Sequence, residues 1–402
     1  MRNSKLTISY SILLFINFLF SYKYLSRYSA HGVYLAISIL VIQFLIIRYI
    51  DVFNFSIKKL NFLGYFLSFL LICFAIISQL YIKAETLNVD RWSVISSFLT
   101  ELFKGNYPYF AKSQMGNYPG PMPIYFLIAL PFYLIGGLNI LSALGYIILI
   151  LIINKQIKSS VESKVLLFLV ASSIYVYWEI ATKSNIFTYS LFILLALKLF
   201  QNTNKNSYDN KFILSAVLSG LLLSTRSVFI LAYIVFFISA LKNREMTVKS
   251  LLIYASISGA VFLFTFLPFI VFFKSDFFIM NPFIIQSSSL IPKTYILLFI
   301  LMGIASSFYI KNDLDKFFYS GLSLFTSIAI YFVYHIINSG FQEAYFKSGV
   351  DISYFLFCLP FLFYYIMRIN KNKKPIHDDL FGVKPDVDTL PKIITTGRTS
   401  NR

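Results

Sequence analysis

Long apolar runs recur along the whole chain, and short clusters of basic residues separate them. Hydrophobic residues make up 58% of the 402 residues, charged residues only 13%, and the mean hydropathy is +0.73. A soluble globule of this size needs more polar surface than such a composition supplies. The chain is therefore predicted to be an all-α integral membrane protein.

The number of apolar runs predicts about twelve transmembrane helices in a single polytopic domain over residues 1–374. Two of the expected spans are 164–179 and 248–273. The first run continues past any small-residue cleavage site, so a retained helix is expected rather than a signal peptide. Residues 375–402 are expected to form a polar cytoplasmic tail.

The basic residues predict the orientation of these helices. Fourteen of them fall in the loops near 155–164, 205–211, 242–249, 311–316 and 368–374. Five fall in the alternate loops, namely Lys183, Arg226, Lys274, Lys293 and Lys347. The positive-inside rule places the first set in the cytoplasm. The protein is thus expected in the cytoplasmic (inner) membrane, multi-pass, with both termini cytoplasmic.

Several ligand classes find little support in the composition. The net charge of +18 comes from clusters between apolar runs, so no basic domain exists to bind nucleic acid. The two cysteines, Cys73 and Cys358, lie within apolar runs and predict neither a disulfide nor a metal site. The histidines are too scattered to form a metal cluster. No cofactor is predicted, although the sequence leaves open whether a divalent cation assists.

One hydrophilic interruption stands out, residues 83–138, which is expected to form a large outer loop containing two interfacial helices. In the first, residues 92–103, apolar side chains recur at helical spacing and Ser93, Ser96, Ser97, Thr100 and Glu101 face the other way. The second, Ile124 to Ile135, contains Pro131 and is too short to cross a bilayer. Asp90 precedes the first helix, where the helix dipole favours a carboxylate.

The outward residues combine carboxylates, cations close to the lipid and many tyrosines. Sugar transfer from a lipid-linked phosphate needs a carboxylate that takes a proton from the acceptor hydroxyl and cations that stabilise the departing phosphate. The candidate catalytic residue is Asp90. The candidate substrate-binding residues are Arg91, Tyr107, Tyr109, Lys112, Tyr118, Glu179, Lys183 and Arg226.

The loop also carries three motifs in order, Asp90-Arg91-Trp92, Gly105-Asn106-Tyr107-Pro108-Tyr109 and Asn117-Tyr118-Pro119-Gly120-Pro121. It resembles the GT-C superfamily of polytopic glycosyltransferases, and in particular the bacterial mannosyltransferases that use polyprenyl-phosphate-mannose. The resemblance implies that Asp90 is the general base of an inverting transfer. It also implies a polyprenyl-phosphate donor of a hexose such as mannose, and a glycan or lipid acceptor at the outer face.

Simpler roles are weighed beside these. Asp90 could cap its helix or pair with Arg91, and Glu179 could pair with Lys183 instead of lining a substrate cavity. Arg226 could extend to the lipid headgroups, and the tyrosines could form an interfacial belt. The remaining cations could anchor the protein to membrane lipids. The rival functions are a flippase or transporter of lipid-linked sugars and a glycan polymerase or ligase.

Overall fold

The computed structural model describes residues 2–52, 55–158, 160–288, 292 and 294–369. Helix accounts for 79% of the structure, and the described residues contain no strand. The predicted polar tail at 375–402 lies outside the described residues. The fold is therefore all-α, as the composition predicts.

Seventeen α-helices follow one another along the part of the chain that is described. They are α1 Arg2–Leu25, α2 Gly32–Tyr49, α3 Ile57–Tyr81, α4 Arg91–Phe103, α5 Pro123–Leu134, α6 Leu138–Gln156, α7 Val161–Ser172, α8 Ile174–Ala181, α9 Ile186–Gln201, α10 Asn210–Leu223, α11 Ile230–Lys242, α12 Val248–Phe264, α13 Leu267–Ile279, α14 Pro282–Ser288, α15 Thr294–Phe308, α16 Asp313–Ser339 and α17 Leu359–Arg368. A 3₁₀ turn, Ile352–Cys358, leads into α17.

Among the described residues, six helical segments are long and apolar enough to cross a bilayer, and the bent pair α7–α8 makes a seventh. Seven further apolar helices have 10–17 residues each. The protein is a multi-pass α-helical membrane protein, and the figure of about twelve spans stays a prediction. Of the two apolar helices that follow residue 122, only α6 has the length to cross, whereas α5, within the large loop, has 12 residues.

The predicted span 164–179 is bent by 50° at Ser173, where α7 ends and α8 begins. Polar side chains from α1 and α2 hold this break. The N–H of Ile174 donates to Asn17 Oδ1 (2.8 Å), and Gln43 Nε2 donates to the Ser173 hydroxyl (3.2 Å). A side chain that takes a backbone donor out of the helical ladder produces such a kink.

The prediction of one span over 248–273 is wrong, because the chain breaks between Phe264 and Leu267. Pro268 occupies the second position of α13, where it lacks an N–H and disfavours helix for the residue before it. A second distortion follows at Lys274, whose φ is 36°. The segment after it is partly helical, since it contains the end of α13 and α14.

A hydrophobic core of its own joins α4 and α5 to α13. The Phe98 and Phe126 rings stack with centroids 3.6 Å apart, and the buried Tyr109 ring meets both edge-on. Phe269 of α13 packs against Phe98 and Tyr109. This packing fixes the large loop to the helix bundle. The α4 helix therefore packs against protein and does not simply lie on the membrane surface.

The long helix α16 runs from one end of the bundle to the other and so defines its two ends. Lys316 lies in its first turn, and Tyr331, fifteen residues on, packs near Tyr354 (6.4 Å between ring centroids). At 1.5 Å per residue these ends are about 22 Å apart. We call the end with the large loop and Tyr354 the loop side, and the other the Lys316 side. Ion pairs join the loops that carry Lys205, Glu245 and Lys316 at the Lys316 side, while the cytoplasmic orientation stays a prediction.

Candidate functional site

The large loop is tied to the turn between α10 and α11 through backbone hydrogen bonds. The N–H of Met122 donates to the Thr225 carbonyl (3.1 Å), and the N–H of Ile124 donates to the Ser224 carbonyl (3.1 Å). Arg226 directly follows this turn. The loop that carries Asp90 and the turn that carries Arg226 are thereby brought to the same side.

Asp90 is held at the start of α4 by the returning part of its own loop. Its Oδ2 accepts from the Ser113 hydroxyl (2.9 Å) and from Asn117 Nδ2 (2.7 Å), and its side chain makes no capping bond to α4. Ser93, expected on the polar face of α4, is buried, and its hydroxyl accepts from the N–H of Gln114 (3.1 Å). The side chains of Ser113 and Asn117 therefore position the Asp90 carboxylate, and it does not cap the start of α4.

Arg91 turns from α4 into the bundle and meets Asp351, a residue that sequence reasoning missed. Arg91 is only 8% exposed; its guanidinium forms an ion pair with the Asp351 carboxylate and lies 4.9 Å from the Tyr354 ring centroid. Burial alone would raise the pKa of Asp351, but Arg91 and the hydrogen bonds of Ser353 outweigh it and hold that pKa below its usual value. Asp351 therefore stays ionised and orients Arg91.

Arg226 approaches the same ring. Its Cζ lies 5.7 Å from the Tyr354 centroid and 5.5 Å from that of Tyr125. No carboxylate of the described residues lies within ion-pair distance of Arg226, and the Nε atoms of both Arg226 and Arg91 are buried without a hydrogen-bond partner in the structure. Buried donors without acceptors are costly, and both guanidiniums contact the Tyr354 ring, so Arg226 and Arg91 are candidates to bind an anion.

A cavity of about 330 Å³ opens beside Arg226. Helices α11, α14, α15 and α16 and the 3₁₀ turn before α17 form its walls. Apolar side chains dominate the lining, and among them are Val228, Leu231, Phe283, Ile296, Phe299, Ile328 and Phe357, with Tyr331 and Tyr354 near the arginine. A cationic end and an apolar body match an amphiphile with an anionic headgroup.

Glu179 lies elsewhere, in the interior, with 1% of its surface exposed. Its carboxylate accepts from the Tyr146 hydroxyl (2.6 Å), the Ser184 hydroxyl (3.1 Å) and the N–H of Phe187 (3.2 Å). It neither pairs with Lys183 nor belongs to the lining of the cavity. Glu179 instead joins α8 to α6 and to the first turn of α9.

Lys183 occupies the turn after α8 in a left-handed conformation, with φ 57°. The N–H of Ser184 donates to the Glu179 carbonyl (2.9 Å) and that of Lys183 to the Ile180 carbonyl (3.3 Å), which is a Schellman motif with lysine where glycine is usual. Its Nζ lies 6.0 Å from the Trp92 ring centroid. Burial lowers the pKa of Lys183, and the Glu85 carboxylate opposes that shift.

The predicted tyrosines divide into two kinds. Tyr107 and Tyr109 are buried in the core between α4, α5 and α13, and their hydroxyls donate to the Met280 carbonyl (2.5 Å) and the Pro121 carbonyl (3.3 Å). The structure does not bring them to the arginine site. Tyr118 is exposed on the loop, where the Lys112 ammonium lies 5.3 Å from its ring centroid.

A weak signal could have found Asp351, since it is the single carboxylate at the start of the last apolar run. Nothing distinguishes Tyr125 or Tyr354 among the 29 tyrosines of the chain. The described residues contain no group of three or more side chains placed to hold a metal ion. Comparison of the chain with models of protein families, with curated proteins and with solved structures gave no match in any of the three.

Proposed function

We propose that the protein is an inverting glycosyltransferase that moves a hexose from a polyprenyl-phosphate donor to a glycan or lipid acceptor on the outer face of the membrane. The observation that carries this proposal is the apolar cavity beside Arg226, whose guanidinium has no carboxylate partner among the described residues. Arg91 contacts Tyr354, which lines this cavity, and Asp90 directly precedes Arg91 in the chain, so we infer that the anion site and the candidate base lie near the cavity.

The donor fits this arrangement by its two chemical parts. Its first isoprene units would occupy the apolar cavity, where burial of hydrocarbon supplies affinity. Its phosphate would accept hydrogen bonds from Arg226 and Arg91, whose buried Nε donors lack partners in the structure. Asp351 would keep the Arg91 guanidinium in place while the other nitrogens reach the phosphate.

In the proposed reaction the acceptor hydroxyl attacks the anomeric carbon on the face opposite the phosphate. Asp90 takes the hydroxyl proton as the new glycosidic bond forms. The bond between the anomeric carbon and the phosphate oxygen breaks, and its electron pair leaves with the polyprenyl phosphate. Arg226 and Arg91 stabilise that negative charge, and the single displacement inverts the anomeric configuration.

Labelled polyprenyl-phosphate hexose, supplied with acceptor to the purified protein in detergent, tests the proposal. The wild type should transfer label, and Asp90→Asn should slow transfer by about 10²–10⁴-fold, since a general base contributes that much, with donor binding unchanged. Glu101→Gln is the matched control, because Glu101 lies on the same loop but pairs with Lys104 at the surface. A normal rate in Asp90→Asn refutes the base assignment. Donor binding without transfer by the wild type indicates a carrier of lipid-linked sugars.

A further inference from the structure

A second cationic position lies at the start of α4, apart from the two arginines. Lys183 is only 7% exposed, and its ammonium forms no hydrogen bond or ion pair among the described residues. Its ammonium faces the Trp92 ring at 6.0 Å from the centroid. The Trp92 Nε1 is itself buried without a hydrogen-bond partner in the structure. The Lys183 ammonium therefore lies beside an indole whose N–H is a buried donor without a partner.

This position lies at the first turn of α4, two residues along the chain from the candidate base Asp90 and apart from the donor cavity. Successive helical residues point about 100° apart, and the first turn of α4 uses this spacing. Arg91 extends to Asp351 and Tyr354, whereas Trp92 extends to Lys183. Lys183 and Trp92 do not line the cavity beside Arg226. An anion bound by Lys183 would thus belong to a different molecule from the donor lipid.

We propose that Lys183 and Trp92 bind an acidic group carried by the acceptor, a carboxylate or phosphate on a sugar; this inference rests on the function proposed above. The ammonium and the indole N–H would donate to the acidic oxygens, and the indole ring would pack against the sugar. The Glu85 carboxylate acts on Lys183 through space but lies beyond ion-pair distance, so it leaves the ammonium available.

Intrinsic fluorescence tests this binding, because Trp92 and Trp178 are the two tryptophans of the chain. Trp178→Phe protein, with Trp92 as its single indole, is titrated with glucuronate, glucose 6-phosphate and glucose. At least one acidic sugar should change the emission in a saturable way and bind about 10-fold more tightly than glucose. The better of the two acidic sugars identifies the acidic group. Equal responses to all three sugars overturn the proposal.

Lys183→Gly in the same background removes the ammonium and suits the left-handed backbone, so the fold is retained. Arg244→Gly is its matched control, since Arg244 has the same φ of 57° in the equivalent position after α11. The preference for the acidic sugar should disappear in Lys183→Gly and persist in Arg244→Gly. An unchanged preference in Lys183→Gly overturns the assignment.

Kinetics separate this inference from the proposed function. With the acidic acceptor, Lys183→Gly should raise the acceptor KM about 10-fold and leave the donor KM unchanged. If the wild type transfers the hexose but Lys183→Gly has an unchanged acceptor KM, the acceptor site is refuted and the proposed function is not. Saturable binding of the acidic sugar without any transfer refutes the proposed glycosyl transfer and leaves the anion site in place.

Discussion

On the Lys316 side of the bundle the buried cations Lys316 and Lys5 have carboxylate partners, whereas on the loop side Arg226 and Lys183 have none in the described part of the chain. Lys316, 1% exposed at its side chain, contacts Glu245 (2.6 Å) and Asp313 (2.8 Å). Lys5 contacts Asp315 at 2.7 Å. These pairs join α16 to α1 and to the loop after α11. Their charges are neutralised within the protein itself.

On the loop side, Arg226 and Lys183 have no carboxylate partner among the described residues, and Arg91 shares its five donors with one carboxylate. An unpaired charge near the membrane lowers stability. Sites that bind charged ligands accept this cost. This contrast indicates that the ion pairs of Lys316 and Lys5 hold helices together, and it supports the proposal that Arg226, Arg91 and Lys183 bind anions.

The largest expected effect is on the donor. Arg226→Met should weaken binding of labelled polyprenyl phosphate about 100-fold, since a hydrogen bond to a charged group contributes roughly 1.5–3 kcal/mol. The free energy of unfolding should stay the same or rise, because the lost charge had no carboxylate partner. Lys112→Met, which removes an exposed lysine, is the control. Unaltered donor affinity in Arg226→Met would contradict the anion site.

Lys316→Met should have the opposite effects: the protein should lose stability and keep its donor affinity. Removing this buried ammonium leaves the Glu245 and Asp313 carboxylates without their cationic partner. The free energy of unfolding should fall by about 2 kcal/mol. The loss is smaller than for a fully buried ion pair because both carboxylates are partly exposed. Denaturation in detergent measures the loss. Donor affinity should not change. A parallel loss of donor binding in folded Lys316→Met would mean that the two ends are not separate in function.

Asp351 should make stability depend on pH. Its pKa is lowered in the folded protein, so the ionised form is stabilising above its ordinary pKa of 3.8, and that contribution is lost as the pH falls through the lower folded value. Asp351→Asn should cost about 1 kcal/mol at neutral pH and should flatten the fall in stability under acid. Unfolding measured from neutral to acidic pH, with Glu101→Gln as control, checks this. An identical acid profile in Asp351→Asn would contradict it.

The smallest expected effect concerns the backbone conformation at Arg244, in the turn after α11. Glycine in place of Arg244 should raise the free energy of unfolding by roughly 0.5–1 kcal/mol, because a left-handed conformation is unfavourable for residues with a Cβ. Transfer activity should remain at the wild-type level. Thermal unfolding measures the gain. A loss of stability would show that the Arg244 side chain holds the turn.

The helices around the large loop could be predicted because their signals are local. Apolar spacing indicates α4, Pro131 and the length of its run indicate a short α5, and the motif at Asp90 marks the loop. The break at Ser173 could not be predicted in the same way. It depends on Asn17 and Gln43, which belong to other helices.

The residues that come together at the candidate site could be identified only from the three-dimensional structure, for a similar reason. Arg91 and Asp351 are 260 positions apart, and no local pattern links them. Tyr109 lies in the core and Tyr354 contacts the guanidiniums of two arginines, although nothing in their residue type tells them apart. Residue type and spacing therefore indicated which chemistry to expect, but packing decided which residues take part.

An experimental structure with polyprenyl phosphate bound tests the central claim most directly. The account predicts the phosphate within hydrogen-bond distance of the Arg226 and Arg91 guanidiniums, with the first isoprene units in the adjoining cavity. A phosphate bound at the Lys316 side, or a lipid chain that leaves this cavity empty, would contradict it.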